Sequence, residues 1–336
     1  MNFVGVDLHK KTITICIVNE AREVLLRRTI PCDQEGLIGE LLQRWRPFEL
    51  VVEATASYEW FVQLADPLAE RVVLAHPRKL RVIAESTNKS DKVDATVLAQ
   101  FLALDMIPEA HRPSPRVRQH RALVRHRQYI QGRITSVKTK IRRIVSNYNA
   151  DRKNLFSKAG QEYLATVKLL PADRFIVADL VEQLRHHQKS LRVVNRQLKE
   201  FAKEAPAAEQ EAREVLESIP TIGPVTVNVV LSELGDTRRF RSQKKAVAYA
   251  GLAPGQRESA GKSRQLGITK EGSRLLRWAL VEAAWRLVGK TRRWRTIYER
   301  LRHRRGPKKA IVAVARRLLC VMMSMLAKGE RYRYAV

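Results

Sequence analysis

The chain has 336 residues, 45% of them hydrophobic, which is long enough for two domains with buried cores and too apolar for a disordered protein. It carries 63 Lys+Arg against 34 Asp+Glu, a formal net charge of +29. Residues 1–100 hold 13 basic and 14 acidic side chains, so the whole excess lies in residues 101–336. This division predicts a catalytic module joined to one that binds a polyanion. Nucleic acid is the expected polyanion, and a membrane surface is the weaker alternative.

Three widely separated cysteines are too few for a disulfide framework or a zinc ribbon, and they indicate a reducing compartment. The N-terminus lacks the basic and apolar regions of a signal peptide. The apolar stretch 310–326 is interrupted by Arg316 and Arg317 and is too short to span a bilayer. We therefore expect a soluble intracellular protein with no membrane partner.

The first hundred residues predict an α/β domain. Apolar or β-branched runs predict strands at 3–7, 12–18, 23–30, 49–53 and 71–75, and helical patterns cover 37–45, 58–69 and 94–104. Three strands followed by alternating helices and strands is the element order of a ribonuclease-H-like fold.

Four acidic residues in this head form the first candidate site. Asp7 and Glu53 each end an apolar strand, and Asp91 and Asp94 stand three residues apart where a helix should begin. Clustered carboxylates repel one another unless a divalent cation neutralises them, so the pattern predicts a metal site. In the alternative interpretation, Asp91 caps the helix and Asp94 favours its dipole.

From residue 110 onward the pattern is almost entirely helical. Residues 117–148 predict a long basic helix, and a later stretch has positions spaced alternately by three and four residues over about four heptads. This seam predicts a coiled coil, either packed within the chain or joining two chains, and its members are Val177, Leu180, Leu184, His187, Leu191, Val194, Leu198 and Phe201.

Residues 218–226 join two helical stretches through a glycine-containing turn. The turn resembles a helix-hairpin-helix, whose backbone amides bind phosphate; a plain helix connection is the alternative. With a linker after Pro206, we predict segments at 1–110, 111–210 and 211–336.

A second constellation lies in residues 254–264, which read as a small-residue, basic loop. Ser259 stands there among small residues, and no histidine is available in the loop to activate it. Its hydroxyl is a candidate nucleophile, with nearby Ser263 as a rival; the same loop could simply bind phosphate. The neighbouring cations are candidate nucleic-acid contacts: Arg257, Lys262, Arg264, Lys270, Arg274 and Arg277, the last two on a helix predicted to run to Leu287.

Six ordered motifs give the chain a specific resemblance. They are Gly5-Val6-Asp7-Leu8-His9-Lys10, Glu53-Ala54-Thr55, Lys89-Ser90-Asp91-Lys92-Val93-Asp94-Ala95, Ile219-Pro220-x-Ile222-Gly223-Pro224, Tyr249-Ala250-Gly251-Leu252-Ala253-Pro254 and Gly267-Ile268-Thr269-Lys270-x-Gly272-x-x-Leu275-Leu276-Arg277. With these motifs the chain resembles the DEDD-type insertion-sequence transposases, relatives of the Piv DNA invertase, some of which are bridge-RNA-guided recombinases. The resemblance implies a RuvC-like head in residues 1–110, a coiled-coil middle in 111–210 and a C-terminal transposase domain in 211–336.

The resemblance implies roles for particular residues. Asp7, Glu53, Asp91 and Asp94 match the family's metal-binding tetrad for Mg²⁺ or Mn²⁺, and Ser259 matches the serine that becomes joined to DNA. Two positions depart from the family pattern, since Ala56 and Ala260 stand where glycine is usual. Both replacements are small for small.

The resemblance also implies a function and partners. It implies a DNA recombinase that acts through a phosphoserine on element ends and target DNA. It further implies a bacterial or archaeal cytoplasm near the nucleoid as the location, and a structured guide RNA as a partner. The heptad seam adds the prediction of a homo-oligomer, dimer or tetramer. The alternatives are a RuvC-like metal-dependent nuclease without a covalent intermediate, and a catalytically silent nucleic-acid-binding protein.

Overall fold

The computed structural model of the chain describes residues 1–55, 57–83, 91–259 and 262–333, without the side chains of 81–83, 91–94, 256–259 and 262–265. The chain divides into two compact units, Met1–Arg112 and Pro113–Val336. The further predicted division near residue 210 stays a prediction.

The first unit contains a five-stranded mixed sheet. Its strands are β1 (Asn2–Leu8), β2 (Thr12–Val18), β3 (Val24–Pro31), β4 (Phe48–Glu53) and β5 (Arg71–Ala75). The spatial order is β3-β2-β1-β4-β5, in which the β1–β2 and β2–β3 pairs are antiparallel and the β1–β4 and β4–β5 pairs are parallel. The parallel strands therefore end at one common edge of the sheet.

Helices cover both faces of this sheet. They are α1 (Glu35–Arg44), α2 (Glu59–Ala65), α3 (Pro77–Ile83) and α4 (Asp91–Ala103). Val4, Val6 and Leu8 of β1 share a core with α1 and α2 on one face. Ala95 and Ala99 of α4 pack on the other face, because successive strand residues point to opposite sides.

The predicted element order of the head is confirmed, and one helix is added. The seven residues of α3, one residue after β5, were not predicted, because so short a stretch offers no sustained apolar period. The head is a mixed α/β domain, and its assignment to the RuvC-like class stays a prediction.

The second unit is mostly helical. Its elements are α5 (Pro115–Ser146), α6 (Lys158–Thr166), α7 (Pro171–Lys203), α8 (Ala207–Glu217), α9 (Pro224–Leu234), α10 (Gln243–Tyr249), β6 (Pro254–Ser259), β7 (Lys262–Ile268), α11 (Arg274–Lys290), α12 (Arg292–Arg305) and α13 (Pro307–Lys328). The predicted basic helix is confirmed as α5, which holds ten Lys and Arg and no acidic residue.

The heptad seam of α7 packs within the chain. Its first buried residues form one apolar cluster with a stripe of α5, the two sets being Val177, Leu180 and Leu184 on α7 and Ile130, Ile134, Val137, Ile141 and Val145 on α5. Further along α7, Leu198 joins the core of the C-terminal helices. The intramolecular alternative therefore accounts for the burial of the seam, and a coiled coil between chains is not needed for it.

The small-residue stretch at 254–264 is a two-stranded antiparallel hairpin rather than the loop that its composition predicts. Arg-Glu-Ser-Ala-Gly-Lys-Ser-Arg has no apolar alternation, which is the usual strand signal, so pairing between the two strands decides the conformation here. Residues 260 and 261 lie outside the described part of the chain.

Helix α13 is longer than the apolar run at 310–326 that the sequence predicts. By length and composition it could cross a membrane, although half of its apolar window is buried in the fold. Arg316 and Arg317 are exposed, while Leu318 and Leu319 are buried in the core shared with α11 and α12. A core helix has these same features, so the helix is weak grounds for a membrane span.

Candidate active site

Asp7 and Glu53 lie side by side at the edge where β1 and β4 end. Val6 of β1 pairs in parallel register with Val52 of β4, and each carboxylate residue comes next in its strand. Neighbouring strands are about 4.8 Å apart, so the two backbones are close neighbours at this edge. The Asp7 side chain is only 14% exposed, and Glu53 is half-buried.

Both residues stand on the face that α4 covers. Gly5, two residues before Asp7, contacts the α4 backbone. Val51, two residues before Glu53, packs in a cluster with Leu98 of α4. Because residues two apart in a strand share a face, the sheet presents both carboxylates toward the α4 side.

His9 is a third polar residue at this edge. Its Nε2 lies 3.1 Å from Oδ2 of Asp7, and its side chain is half exposed. The sequence places His9 inside the first motif without giving it a role, since one histidine beside a carboxylate is a weak signal. The structure shows that it partners the first acid of the tetrad.

Helix α4 begins at Asp91, one turn before its contact with β1 at Ala95. Asp94 immediately precedes Ala95 in the chain. Both acids are therefore within about one helical turn of Ala95, the residue of α4 that packs on Gly5. Gly5 is in turn two residues from Asp7. The side chains of Asp91 and Asp94 lie outside the described part of the chain.

The described atoms do not themselves complete a metal site. No group of three or more His, Cys, Asp or Glu side chains that could hold an ion occurs among the described residues. The described donors that suit a divalent cation are the carboxylates of Asp7 and Glu53, because hard cations prefer oxygen ligands.

The β6–β7 hairpin has a defined backbone register. Ser259 pairs with Lys262, and Ser263 pairs with Glu258, so both candidate serines lie at the turn end of the hairpin. Arg257 and Arg264 are paired one step further from the turn. The side chains of these residues lie outside the described part of the chain.

The open end of the hairpin is closely tied to α10 and α11. The Thr269 amide donates to the Ala253 carbonyl at 2.9 Å, and the Lys270 amide donates to the Gly251 carbonyl at 3.1 Å. Gly251 and Lys270 both have positive φ, 68° and 59°. A Cβ at Gly272 would lie 1.9 Å from the Tyr249 carbonyl oxygen, so the two chain segments touch through their backbones.

The Arg277 side chain bonds both chain segments at the base of the hairpin. Its Nη1 donates to the carbonyl oxygens of Ala250 at 3.2 Å and Gly272 at 2.6 Å. Burial, and then the neighbouring Arg274 charge, lower the pKa of the guanidinium. The sequence suggests a nucleic-acid contact for Arg277, which stays a prediction, and the structure adds that its guanidinium joins the two ends of the hairpin. Arg274 and Lys270 are exposed to solvent.

The glycine-containing turn of residues 218–223 joins α8 to α9, as predicted. Ile219 and Ile222 are buried in the core of the second unit, and Gly223 is the N-cap of α9. The turn therefore has a packing role, and phosphate binding by its backbone stays a prediction.

Comparisons with known proteins place these elements in a family context. A model of DEDD-type transposases of the IS110 group matches residues 4–150, and the model of the IS116/IS110/IS902 transposase family matches residues 213–299. The first range contains Asp7, Glu53, Asp91 and Asp94, and the second contains the hairpin and Arg277.

Individual relatives extend the similarity over the whole chain. The transposase for insertion sequence element IS1111A of Coxiella burnetii is 25% identical over 99% of this chain and 92% of its own length. The pilin gene-inverting protein of Moraxella bovis is 24% identical, covering 98% of this chain and 97% of its own. The transposase for IS1328 of Yersinia enterocolitica is 25% identical over 84% and 83%.

Proposed function

The chain belongs to the IS110/IS1111 family of insertion-sequence transposases, and from that premise we propose that it cuts and rejoins DNA through a phosphoserine intermediate on Ser259. The family makes it a DNA-recombining enzyme, and the covalent step, the metal and the partners are the parts proposed. The observation that carries the proposed metal chemistry is the register that sets Asp7 beside Glu53 on the face covered by α4.

The residues that would hold a divalent cation, Mg²⁺ or Mn²⁺, are Asp7, Glu53, Asp91 and Asp94. Asp7 and Glu53 fit this role because they are two partly buried carboxylates at one sheet edge, where burial without a cation or proton is unfavourable. When bound, such an ion neutralises phosphate charge and polarises the bond to be broken.

The covalent step is an exchange of phosphodiester bonds. The Ser259 Oγ forms a bond to phosphorus, the bond from phosphorus to the DNA 3′-oxygen breaks, and that oxygen leaves as a hydroxyl. The hairpin contains no histidine, so a base from outside it must accept the serine proton and return a proton to the departing 3′-oxygen. A 3′-hydroxyl of another strand then attacks phosphorus and releases the serine, so no external energy source is required.

This chemistry needs both constellations at one phosphodiester, supplied by one chain or by two subunits of a dimer or tetramer. Residues 113–336 hold 49 basic and 18 acidic side chains, an excess suited to several DNA arms or to DNA with a structured guide RNA. The RuvC-like class of the head and a location in the cytoplasm near the nucleoid belong to the same proposal.

The test is a covalent adduct on a denaturing gel, using the full chain, Mg²⁺, DNA with element ends and target, and the RNA that co-purifies. We expect an adduct with the unaltered chain and with Ser263→Ala, and none with Ser259→Ala or Asp7→Asn. An adduct that survives Ser259→Ala would assign the nucleophile to another residue. Metal-dependent cleavage without any adduct would favour the nuclease alternative.

A further inference from the structure

Two tryptophans of α11 lie at the protein surface. Trp278 and Trp285 are each 44% exposed, whereas Trp294 on the next helix is only 3% exposed. Tryptophan is a large apolar residue that is usually well buried, so an exposed pair on one helix is unusual. The core of this unit does not require them, because Leu276, Leu280 and Leu287 supply the buried stripe of α11.

The two indoles share one face of the helix. They are seven residues apart, which is two helical turns or about 10.5 Å along the axis. Residues at this spacing point in the same direction. The ring of Trp285 also meets the ring of Tyr298 on α12 edge-to-face, with centroids 5.4 Å apart. This contact restrains one of the two indoles, so part of the aromatic surface is formed before any partner arrives.

Positive charge lies at both ends of this aromatic face. Arg274 stands one turn before Trp278 and is exposed. At the other end, the guanidinium of Arg295 donates to the carbonyl oxygens of Val288, at 3.4 Å, and Gly289, at 2.9 Å, one turn beyond Trp285.

The neighbouring helix extends this positive surface. On α12 the exposed basic residues are Arg292, Arg293, Arg295, Arg300, Arg302, Arg304 and Arg305. Arg302 among them is engaged by Glu299. The acidic exception on α11 is exposed Glu282, which lies between the two tryptophans in sequence.

We infer that the exposed face of α11 formed by Arg274, Trp278 and Trp285 binds unpaired nucleotides, with the bases on the indoles and the backbone phosphates toward the flanking cations. Aromatic surfaces interleaved with positive charge are the recurring platform for single-stranded nucleic acid, because every base has a face that can stack. In a duplex the base faces are covered by neighbouring base pairs, so this surface should bind single strands in preference to duplexes.

The charge of the surface favours this occupant over a protein. A second copy of the chain would bring another strongly basic surface against the arginines of α11 and α12, which is unfavourable. The shared ligand chemistry is a run of unpaired bases, which can come from a DNA strand opened during recombination or from a loop of an RNA.

The experiment follows intrinsic tryptophan fluorescence of the full chain during titration with single-stranded oligo(dT) and oligo(rU) of about 12 nucleotides, and with a duplex of equal length. We expect both single strands to quench the emission. Trp278→Ala should weaken single-strand affinity roughly tenfold while duplex affinity stays that of the unaltered chain. Trp278→Phe should retain much of the binding, and Glu282→Gln should strengthen it.

Trp278 is the primary site to change because Trp285 packs against Tyr298 and its loss could alter the fold. Trp60→Phe, in the first unit, is the matched fluorescence control and should leave quenching by the oligonucleotides intact. If Trp278→Ala loses more affinity for oligo(rU) than for oligo(dT), the unpaired bases come from RNA, and the reverse result would indicate DNA. Unchanged single-strand affinity in Trp278→Ala would overturn the inference, and all the more so if the free variant also differed from the unaltered chain in sedimentation coefficient.

Discussion

A methyl group on Gly5 would lie 2.1 Å from the carbonyl oxygen of Ala95 and 2.4 Å from the amide nitrogen of Ala99. Both atoms belong to the backbone of α4, which cannot rotate away as a flexible side chain can. Gly5 therefore permits the close packing of α4, beginning at Asp91, on the strand that contains Asp7.

Gly5→Ala is expected to displace α4 and to abolish strand cleavage. Overpacking of this kind typically costs about 1–3 kcal/mol, and a backbone clash should lie at the upper end. Urea denaturation measures the loss of stability, and cleavage of substrate DNA measures the loss of activity. Gly36→Ala is the matched control, because a Cβ added there would meet no neighbouring group of the described chain within 4 Å. A similar loss in Gly36→Ala would show that the Gly5 contact is not decisive.

Asp7→Asn should remove DNA cleavage at every Mg²⁺ concentration and leave nucleic-acid affinity largely intact. The amide keeps the shape of the side chain but removes the negative charge that a cation requires. Cleavage assays across a Mg²⁺ titration, together with filter-binding affinity, check this. Asp33→Asn, an exposed acid before α1, should retain activity. An active Asp7→Asn enzyme would exclude Asp7 from the metal site.

The carboxylate edge could be predicted from sequence because the apolar runs of β1 and β4 are each followed at once by an acid, Asp7 and Glu53. Because those strands are buried, their residues form nearly continuous apolar runs, and the acid marks the point where each run stops. The pairing of Asp7 with His9 and the contact of Gly5 with α4 were not predictable. The first depends on side-chain conformations that leave no pattern in the sequence, and the second depends on which face β1 turns toward a helix more than eighty residues away.

Leu184→Lys is expected to destabilise the α5–α7 pair rather than to yield a folded monomer. Leu184 is 2% exposed and packs in the cluster that contains Ile134 and Ile141 of α5, so a buried unpaired charge would cost several kcal/mol. Thermal unfolding and sedimentation velocity measured together separate the two outcomes. Val193→Lys, at a position 55% exposed, is the matched control. A well-folded Leu184→Lys chain with reduced oligomeric state would instead assign the seam to an interface between subunits.

The heptad of α7 was visible in the sequence, but its partner was not, because apolar residues at this spacing suit a helix of either chain. The hairpin that carries Ser259 was missed for the opposite reason. Its residues have no apolar period, and it is defined by backbone pairing and by the Arg277 contacts at its base. Such long-range contacts leave no local pattern in a sequence.

His120 should make the second unit sensitive to acid. It is 3% exposed, its Nε2–H donates to Oδ1 of Asn228 at 2.9 Å, and its ring stacks on Phe201. Burial, with the nearby Arg213 charge, lowers its pKa despite the hydrogen bond to Asn228. The unfolded chain therefore binds this proton more readily than the folded chain does. The stability associated with neutral His120 is present above the ordinary pKa of 6.5 and is lost as the pH falls toward the folded pKa.

Urea denaturation at pH values above and below 6.5 tests this dependence. His120→Gln can still donate a hydrogen bond to Asn228 but cannot titrate, so its stability should fall less in acid than that of the unaltered chain. His126→Gln, at an exposed position on the same helix, is the matched control. Equal acid sensitivity in His120→Gln and the unaltered chain would remove His120 as the cause.

Arg277 and Arg274 are expected to act differently although both are arginines of the first turn of α11. Arg277 binds two backbone carbonyls at the base of the hairpin, whereas Arg274 is exposed. Arg277→Gln should therefore slow formation of the Ser259 adduct at saturating DNA and leave the salt dependence of DNA binding unchanged. Arg274→Gln should lower the slope of log affinity against log salt by about 1, because one phosphate contact is lost.

The two measurements together identify the role of each guanidinium. Removal of the Arg277 contacts leaves the carbonyls of Ala250 and Gly272 without this donor and loosens the base of the hairpin. The rate of adduct formation should therefore fall, while the salt dependence of DNA affinity stays the same. Arg277→Lys keeps the positive charge, but its single ammonium cannot reproduce the rigid geometry of the guanidinium, and the rate should recover only in part. A reduced salt slope in Arg277→Gln with a normal adduct rate would instead make Arg277 a phosphate contact.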